Sequence, residues 1–303
     1  MPQTMKLALL DDYQKVALQL ADWDRLRKRG IEITVFNEPF VSVDDAAQKL
    51  APFEILGLLR ERTAFPRALI EKLPNLKFMV LTGARAASLD DKAATERGIP
   101  ISTTPGGGSN APTAELGWAL LMSCARDLAK AERLMRSGGW HDGIQQMNVL
   151  EGKRLGILGL GKLGSRVAGY AKAFGMDVVA WSQNLTAEKA GAIGVKYVGK
   201  DELLSTSDFI SIHLALSDRT RGLIGAAELA KMKKTAILVN TSRGPIVDEA
   251  ALIAALKSGT IAHAGLDVYD KEPLPAGHPL TKLENVTLVP HLGYVVEESY
   301  RYF

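Results

Sequence analysis

The sequence predicts an α/β protein with two doubly wound parallel-sheet domains. Short apolar runs alternate with amphipathic helical stretches along nearly the whole chain, which is typical of a parallel sheet covered by helices on both faces. This alternation occurs in two series, separated by a glycine-rich segment at residues 104–110 and a long helical stretch at 111–136. The length of 303 residues also fits two domains.

Twelve apolar runs are predicted as strands, five before the glycine-rich segment and seven after the helical stretch. In the first series, Gly30 and Gly98 are predicted to end helices at 16–29 and 90–97, because a helix C-cap commonly requires a positive φ. The predicted strands are residues 6–10, 31–36, 53–59, 76–81, 99–102, 154–158, 176–181, 195–198, 209–214, 236–240, 264–268 and 286–289.

Composition and charge exclude several classes of protein. The net charge is only +3 and the basic residues are dispersed, so we expect no nucleic-acid partner. No apolar stretch approaches the ~18 residues of a membrane span, and the N-terminus lacks a signal-peptide pattern. Cys124 is the single cysteine, which rules out an internal disulfide and favours a cytoplasmic location. No His, Cys and acid spacing predicts a metal site.

A glycine fingerprint follows the first strand of the second series and opens a predicted helix. In this setting the first glycine permits a tight turn, and the second lets backbone amides approach a pyrophosphate. The third lets the helix pack on the strand. The helix N-terminus stabilises the phosphate charge. We therefore predict dinucleotide binding, rather than a purely structural turn, at Gly159, Leu160, Gly161, Lys162, Leu163 and Gly164.

The residues after the next predicted strand leave the choice of coenzyme open. An acid about 20 residues beyond the fingerprint would bind the ribose 2′-hydroxyl of NAD, whereas an arginine would accommodate the 2′-phosphate of NADP. The chain instead has Ser182, Gln183 and Asn184 at this point. We expect Ser182 and Gln183 to contact a coenzyme that is either NAD or NADP.

Three polar segments follow predicted strands of the second series and contain Arg243, Glu272 and His291. In open parallel sheets ligands bind beyond the carboxyl ends of the strands, so these side chains are expected to meet there. Histidine exchanges a proton near neutral pH, a paired carboxylate stabilises its charged form, and an arginine fork suits a carboxylate. Each residue alone is better explained as an ordinary loop residue. Together, behind a nucleotide fingerprint, they favour a catalytic site.

In this order the motifs resemble those of the D-isomer-specific 2-hydroxy acid dehydrogenases, a family that includes glyoxylate/hydroxypyruvate reductases, phosphoglycerate dehydrogenases and D-lactate dehydrogenases. The resemblance covers nearly the whole chain, and Arg243, Glu272 and His291 match the family's catalytic Arg, Glu and His. It implies hydride transfer between NAD(P)H and a 2-keto acid or D-2-hydroxy acid. His291 would be the acid/base, Glu272 its partner, and Arg243 a ligand of the substrate carboxylate. Further implied coenzyme contacts are His213, Thr241, Asp267 and Gly293.

The same resemblance implies a flavodoxin-like substrate domain at residues 1–103 and 291–303, and a Rossmann dinucleotide-binding domain at 104–290. The first domain would supply Gly83 and Ala84 to bind substrate beside Arg243 and His291, although the residues that follow depart from the usual Gly-x-Asp pattern of the family. Family members are commonly dimeric through the long-helix region, so we expect a homodimer. They usually continue with a C-terminal helix, so we expect further residues after Phe303.

Two other functions fit parts of the pattern. Formate-dehydrogenase-like relatives have Gln in place of the catalytic Glu, and Glu272 argues against that assignment. Coenzyme-sensing corepressors with the same architecture can retain all three catalytic residues. Turnover of a 2-keto acid would separate such a binding protein from an enzyme.

Overall fold

The structure, a computed structural model, describes residues 4–104, 109–144 and 147–303. Residues 105–108, most of the glycine-rich segment, lie outside the described residues. The chain divides into two compact units: residues up to 109 together with 295–303, and residues 110–294. We call them the five-stranded and the seven-stranded unit. Their boundaries lie a few residues later than those drawn from the sequence, so His291 belongs to the seven-stranded unit.

The five-stranded unit has a wholly parallel sheet in the strand order 2-1-3-4-5, the order of flavodoxin-like sheets. Its core is formed by strand residues and by the apolar faces of the helices, including Leu50, Leu56 and Met79. The elements are β1 (Met5–Leu9), α1 (Asp24–Arg27), β2 (Ile31–Val35), α2 (Val43–Leu50), β3 (Ile55–Leu59), α3 (Arg67–Ile70), β4 (Phe78–Thr82), α4 (Asp91–Glu96) and β5 (Ile101–Thr103), with α12 (Glu297–Tyr302) from the end of the chain and a 3₁₀ turn at Ala17–Gln19.

The seven-stranded unit also has a wholly parallel sheet. Its elements are α5 (Ala111–Ala125), α6 (Leu128–Arg136), β6 (Arg154–Leu158), α7 (Lys162–Ala173), β7 (Asp177–Trp181), α8 (Ala187–Gly191), β8 (Lys196–Tyr197), α9 (Lys200–Thr206), β9 (Phe209–Ile212), α10 (Ala226–Lys231), β10 (Ile237–Asn240), α11 (Glu249–Ser258), β11 (His263–Leu266) and β12 (Val286–Leu288), with 3₁₀ turns at Gly244–Ile246 and Pro279–Lys282.

The strand order in this sheet is 12-11-10-9-6-7-8. Counted from β6, this is the dinucleotide-binding order 3-2-1-4-5-6 with one further edge strand. The order reverses between β6 and β9, and ligands of such sheets bind in the crevice at that reversal. The two-domain parallel α/β fold predicted from the sequence is therefore confirmed.

The central strands of the seven-stranded sheet are buried on both faces, whereas the edge strand β8 is exposed. Ile210 and Leu238 lie in one core cluster, while their neighbours Phe209 and Val239 lie in the other. Successive residues of a strand point to opposite faces, so helices must cover both sides of this sheet. This explains why its strands read in the sequence as continuous apolar runs.

Two helix predictions are wrong. The stretch 111–136 is not one helix, because it breaks at Asp127, which adopts a left-handed conformation with φ 46° between α5 and α6. Aspartate tolerates this conformation better than most residues. The stretch 16–29 forms only Ala17–Gln19 and Asp24–Arg27, neither of which contains a buried residue. A short helix without a buried face lacks the packing that stabilises most protein helices.

Two glycines of α7 offer a matched test of helix–strand packing. A Cβ on Gly164 would overlap the carbonyl of Gly159 and lie 3.1 Å from Ile157 Cγ2, whereas a Cβ on Gly169 would meet no atom within 4 Å. We predict that Gly164→Ala destabilises the protein by about 1–3 kcal/mol through overpacking. Gly169→Ala should stabilise it by about 0.5–1 kcal/mol through helix propensity. Urea unfolding of both variants measures the difference, and equal midpoints would refute it.

Candidate active site

The turn after β6 is built from glycine for steric reasons. Gly159 has φ +102°, and a Cβ there would lie 2.8 Å from the carbonyl carbon and oxygen of His213, at the end of β9. A Cβ on Gly161, which caps α7, would meet no protein atom within 4 Å. The backbone of Gly159 therefore lies close to the backbone of His213 at the strand reversal, and the space beside Gly161, at the N-terminus of α7, is open. Leu160 and Leu163 pack against the core, while Lys162 is exposed.

Two buried polar atoms lie at the strand ends beside this turn. Nδ1 of His213 and Oγ1 of Thr241 have no hydrogen-bond partner within the described part of the chain. His213 Nε2 lies 2.9 Å from Ser211 Oγ, and burial lowers the pKa of His213 to about 4. Its ring is therefore neutral at physiological pH. Buried polar atoms normally have partners, so these two fit a ligand with polar groups, as a dinucleotide has.

The end of β7 carries no charge. Ser182 follows the strand and is half-buried, and Gln183 and Asn184 are exposed. The side-chain amide of Gln183 donates to the carbonyl oxygen of Arg219 at 3.2 Å. This contact joins the end of β7 to the loop that follows β9.

His291 and Glu272 form a short, directed contact. Nδ1 of His291 lies 2.5 Å from Oε2 of Glu272, and both side chains are largely buried. The other carboxylate oxygen, Oε1, accepts from the Tyr269 amide at 3.0 Å. Glu272 is thus fixed at both oxygens and orients the imidazole ring.

The turn that carries His291 is held by Asp267. This aspartate is fully buried, and its two oxygens accept from the amides of Leu292 at 2.5 Å and Gly293 at 3.1 Å. Thr113 of α5 donates to the Gly293 carbonyl at 2.7 Å. His291 itself has φ +53°, a left-handed conformation that is unfavourable for most residues. Asp267, predicted as a coenzyme contact, therefore also fixes the backbone around the histidine.

Arg243 lies on a loop that packs against the segment leading to Glu272. A Cβ on the next residue, Gly244, would overlap the carbonyl of Tyr269 and lie 2.6 Å from the Asp270 nitrogen. The Arg243 carbonyl accepts from Asn240 Nδ2 at 2.9 Å, and its guanidinium donates to the Ser242 carbonyl at 2.7 Å. The strands before these loops, β10 and β11, are neighbours. Their fixed loops therefore bring Arg243 and Glu272 to the same edge of the sheet.

Tyr269 supports this edge and was not singled out from the sequence. Its hydroxyl lies 3.2 Å from the carbonyl of Leu266 and 2.9 Å from that of Val289, at the ends of β11 and β12. Burial raises the pKa of Tyr269, with the charges of Asp267 and Glu272 adding to the effect. The phenol is therefore neutral, and its hydroxyl links the ends of the two strands. Nothing in the sequence marks it, because its partners are backbone atoms of separate segments.

Gly83 and Ala84 lie after β4 in the five-stranded unit. Gly83 is buried with φ +101°, and its amide donates to Thr104 Oγ1 at 2.7 Å. A Cβ on Gly83 would lie 2.9 Å from an Arg60 guanidinium nitrogen, so the arginine lies directly against this glycine. Ala84 is exposed.

Residues 4–104, 109–144 and 147–303 contain no group of three or more His, Cys, Asp and Glu residues that could hold a metal ion. Over the same residues, no helix has the length and apolar character needed to cross a membrane.

Comparison with known proteins identifies relatives of the chain. Residues 118–293 match the family model described as D-isomer specific 2-hydroxyacid dehydrogenase, NAD binding domain. The glyoxylate reductase of Aeropyrum pernix is 44% identical over 238 residues, which cover 76% of this chain and 71% of that protein. The D-3-phosphoglycerate dehydrogenase of Archaeoglobus fulgidus is 38% identical over 91% of this chain, which spans only 52% of that longer protein.

Solved structures lead to the same family. The phosphoglycerate oxidoreductase of Vibrio cholerae O395 superposes with a TM-score of 0.93 at 36% identity, over 99% of this chain and 95% of that one. The match extends over both units, beyond the residues that the family model covers. The chain therefore belongs to the D-isomer-specific 2-hydroxyacid dehydrogenase family and is an NAD(P)-dependent oxidoreductase.

Proposed function

We propose that the protein reduces a 2-keto acid to the D-2-hydroxy acid with NADH or NADPH, using His291, Glu272 and Arg243. The observation that carries this proposal is the 2.5 Å contact between His291 Nδ1 and Glu272 Oε2. A histidine held this way presents its other ring nitrogen for proton exchange, which is what reduction of a carbonyl requires besides a hydride.

When bound, the nicotinamide coenzyme would supply that hydride to C2 of the keto acid. His291 donates a proton to the C2 oxygen, which becomes the hydroxyl group. Glu272 stabilises the positively charged imidazole before the transfer and fixes its orientation. The Asp267 contacts to the Leu292 and Gly293 amides hold the histidine in place during the cycle.

Arg243 binds the substrate carboxylate and polarises its carbonyl oxygen. The planar guanidinium suits a carboxylate because it donates two parallel hydrogen bonds. Its backbone is fixed by Asn240 and by the close packing of Gly244 on Tyr269, so little ordering is needed when the substrate binds.

Coenzyme binding is assigned to the crevice at the strand reversal. The supporting features are the Gly159 turn, the open space at Gly161 and the unpartnered atoms of His213 and Thr241. The amides of the α7 N-terminus would hold the pyrophosphate. The full set comprises Gly159, Leu160, Gly161, Lys162, Leu163, Gly164, Ser182, Gln183, His213, Thr241, Asp267 and Gly293.

Small 2-keto acids are the proposed substrates, because the relatives are named as reductases or dehydrogenases of such acids, including glyoxylate and hydroxypyruvate. Gly83 and Ala84 are proposed to bind the substrate through their amides. The Gly83 amide already donates to Thr104, so we propose the Ala84 amide as the main donor. The five-stranded unit would form the substrate domain and the seven-stranded unit, which includes His291, the coenzyme domain.

The first test is absorbance of the reduced nicotinamide with glyoxylate, hydroxypyruvate, pyruvate and bulkier 2-keto acids. We predict that His291→Ala lowers kcat by about 10²–10⁴-fold, the usual contribution of a general acid, while coenzyme affinity stays unchanged. The exposed His141→Ala is the matched control and should retain full activity. Full turnover by His291→Ala would overturn the assignment. Coenzyme binding by the unmodified protein without turnover of any acid would instead indicate a sensor.

Arg243 can be tested by separating its charge from its shape. Arg243→Ala should lower kcat/KM for the keto acid by about 100-fold or more, because a charge-assisted bidentate contact is lost. Arg243→Lys keeps the charge without the fork and should recover only part of the loss. Steady-state kinetics at saturating coenzyme measure both, and equal activity of Arg243→Lys and the unmodified enzyme would refute bidentate binding.

We also propose a homodimer formed through α6 and the segment after it. Large apolar side chains are exposed here, and exposed apolar patches of this kind normally mark interfaces. They are Leu128, Met135, Trp140 and Val149, exposed by 53%, 53%, 68% and 64%. We also propose a cytoplasmic location, because the single cysteine, Cys124, is buried and cannot form an internal disulfide.

Light scattering should give twice the chain mass of 32.7 kDa. Met135→Glu should shift the protein towards monomer, since a charge is costly in an apolar interface. Phe174→Glu is the control, because Phe174 is similarly exposed but lies at the end of α7. A monomeric unmodified protein would contradict the proposal.

A further inference from the structure

The end of β7 lies where this fold reads the adenosine ribose, and its chemistry bears on which coenzyme is bound. In NAD-binding members of the fold an acid at this point accepts hydrogen bonds from the ribose hydroxyls, and its charge repels a 2′-phosphate. Here residues 182–184 are Ser, Gln and Asn. The carboxylate that would favour NAD is absent from this segment, and the Ser182 hydroxyl can donate to a phosphate oxygen.

An arginine is brought to this point from another part of the chain. Gln183 Nε2 donates to the backbone oxygen of Arg219 at 3.2 Å, so Arg219 neighbours the end of β7 although it follows β9 in sequence. Its side chain is exposed.

The turn that carries Arg219 is fixed by its own side chains. Thr220 is buried, and its hydroxyl donates to the Ala215 carbonyl at 2.7 Å. The Ser217 amide donates to the same hydroxyl at 2.8 Å. The Arg219 backbone is therefore held beside the end of β7 by a rigid turn.

Other charges on this turn are Asp218 and Arg221. Arg221 lies near Asp270. Burial and nearby acids raise the pKa of Asp270, and the positive charge of Arg221 opposes that rise. Asp218 is exposed next to Arg219. Solvent screens the charges of both residues alike, but only the arginine can also donate hydrogen bonds to a phosphate. Residues 182–184 contain no carboxylate, and the backbone oxygen of Arg219 is hydrogen-bonded to Gln183. The basic side chain of Arg219 therefore extends from a point next to the ribose-reading segment.

From this arrangement we propose that the protein selects NADP(H) over NAD(H), with Arg219 and the Ser182 hydroxyl binding the 2′-phosphate. The proposal rests on coenzyme binding at the strand reversal. Arg219 acts as a specificity-determining residue and takes no part in hydride or proton transfer. Arginine binds phosphate through several parallel hydrogen bonds, and NAD(H) offers no group for it.

Direct binding tests this without turnover. Titration calorimetry with NADPH and NADH should show that the unmodified protein binds NADPH at least about 10-fold more tightly, the usual scale of a charge-assisted contact. Arg219→Ala should lower NADPH affinity about 10-fold and leave NADH affinity unchanged. Arg221→Ala, in the same turn, should leave the ratio of the two affinities unchanged. Ser182→Asp should reverse the preference, because its carboxylate repels the phosphate and accepts from the ribose.

Adenosine 2′,5′-bisphosphate and adenosine 5′-monophosphate provide a second readout that involves no nicotinamide. The bisphosphate should bind more tightly, and the difference should vanish in Arg219→Ala. Equal or tighter binding of NADH by the unmodified protein, or an equal loss of both coenzymes in Arg219→Ala, would overturn the selectivity while leaving coenzyme binding intact. Binding of neither coenzyme would overturn the proposed function together with the selectivity.

Discussion

The carboxylate of Asp267 is the contact on which the candidate active site depends. It is fully buried at the end of β11 and accepts from two consecutive amides, those of Leu292 and Gly293. A buried carboxylate is costly unless its oxygens are hydrogen-bonded, so the segment after β12 is drawn against β11. The same contacts stabilise His291 in its left-handed conformation, whose cost is about 1–2 kcal/mol. Two hydrogen bonds to a charged acceptor, about 1.5–3 kcal/mol each, exceed that cost.

Packing between backbones extends this arrangement to the other loops. Gly244 has no room for a side chain against Tyr269, and the Tyr269 amide donates to Glu272, which orients His291. Each step joins the loops after β10, β11 and β12, three adjacent strands of the sheet. The proposed catalytic groups therefore come from neighbouring strand ends, while the proposed coenzyme contacts come mainly from β6, β7 and β9. One parallel sheet places both sets along a single edge, as expected for this class of fold.

The sequence predicted the central strands of the seven-stranded sheet well because they are buried on both faces and read as continuous apolar runs. It predicted the helices less well where local geometry decided the outcome. The break at Asp127 depends on one residue in a left-handed conformation, which leaves the apolar periodicity unchanged. In the site, motif order led to the expectation that Glu272 and His291 form a pair, and the two side chains are in contact. The supporting roles of Thr113 and Tyr269 were missed, because each acts on backbone atoms of a distant segment.

Burial separates the roles of the histidines more clearly than their positions in the sequence do. His213 lies at the end of β9 beside the Gly159 turn, and burial without a charged partner lowers its pKa to about 4. It can contact a ligand through a neutral ring, but it does not carry the imidazolium proton near pH 7. His291 lies at the end of another strand of the same sheet and is paired with a carboxylate. Because a neighbouring negative charge favours the imidazolium form, this is the histidine that we propose for proton transfer. Residue type alone would not distinguish the two, since the difference lies in what each ring contacts.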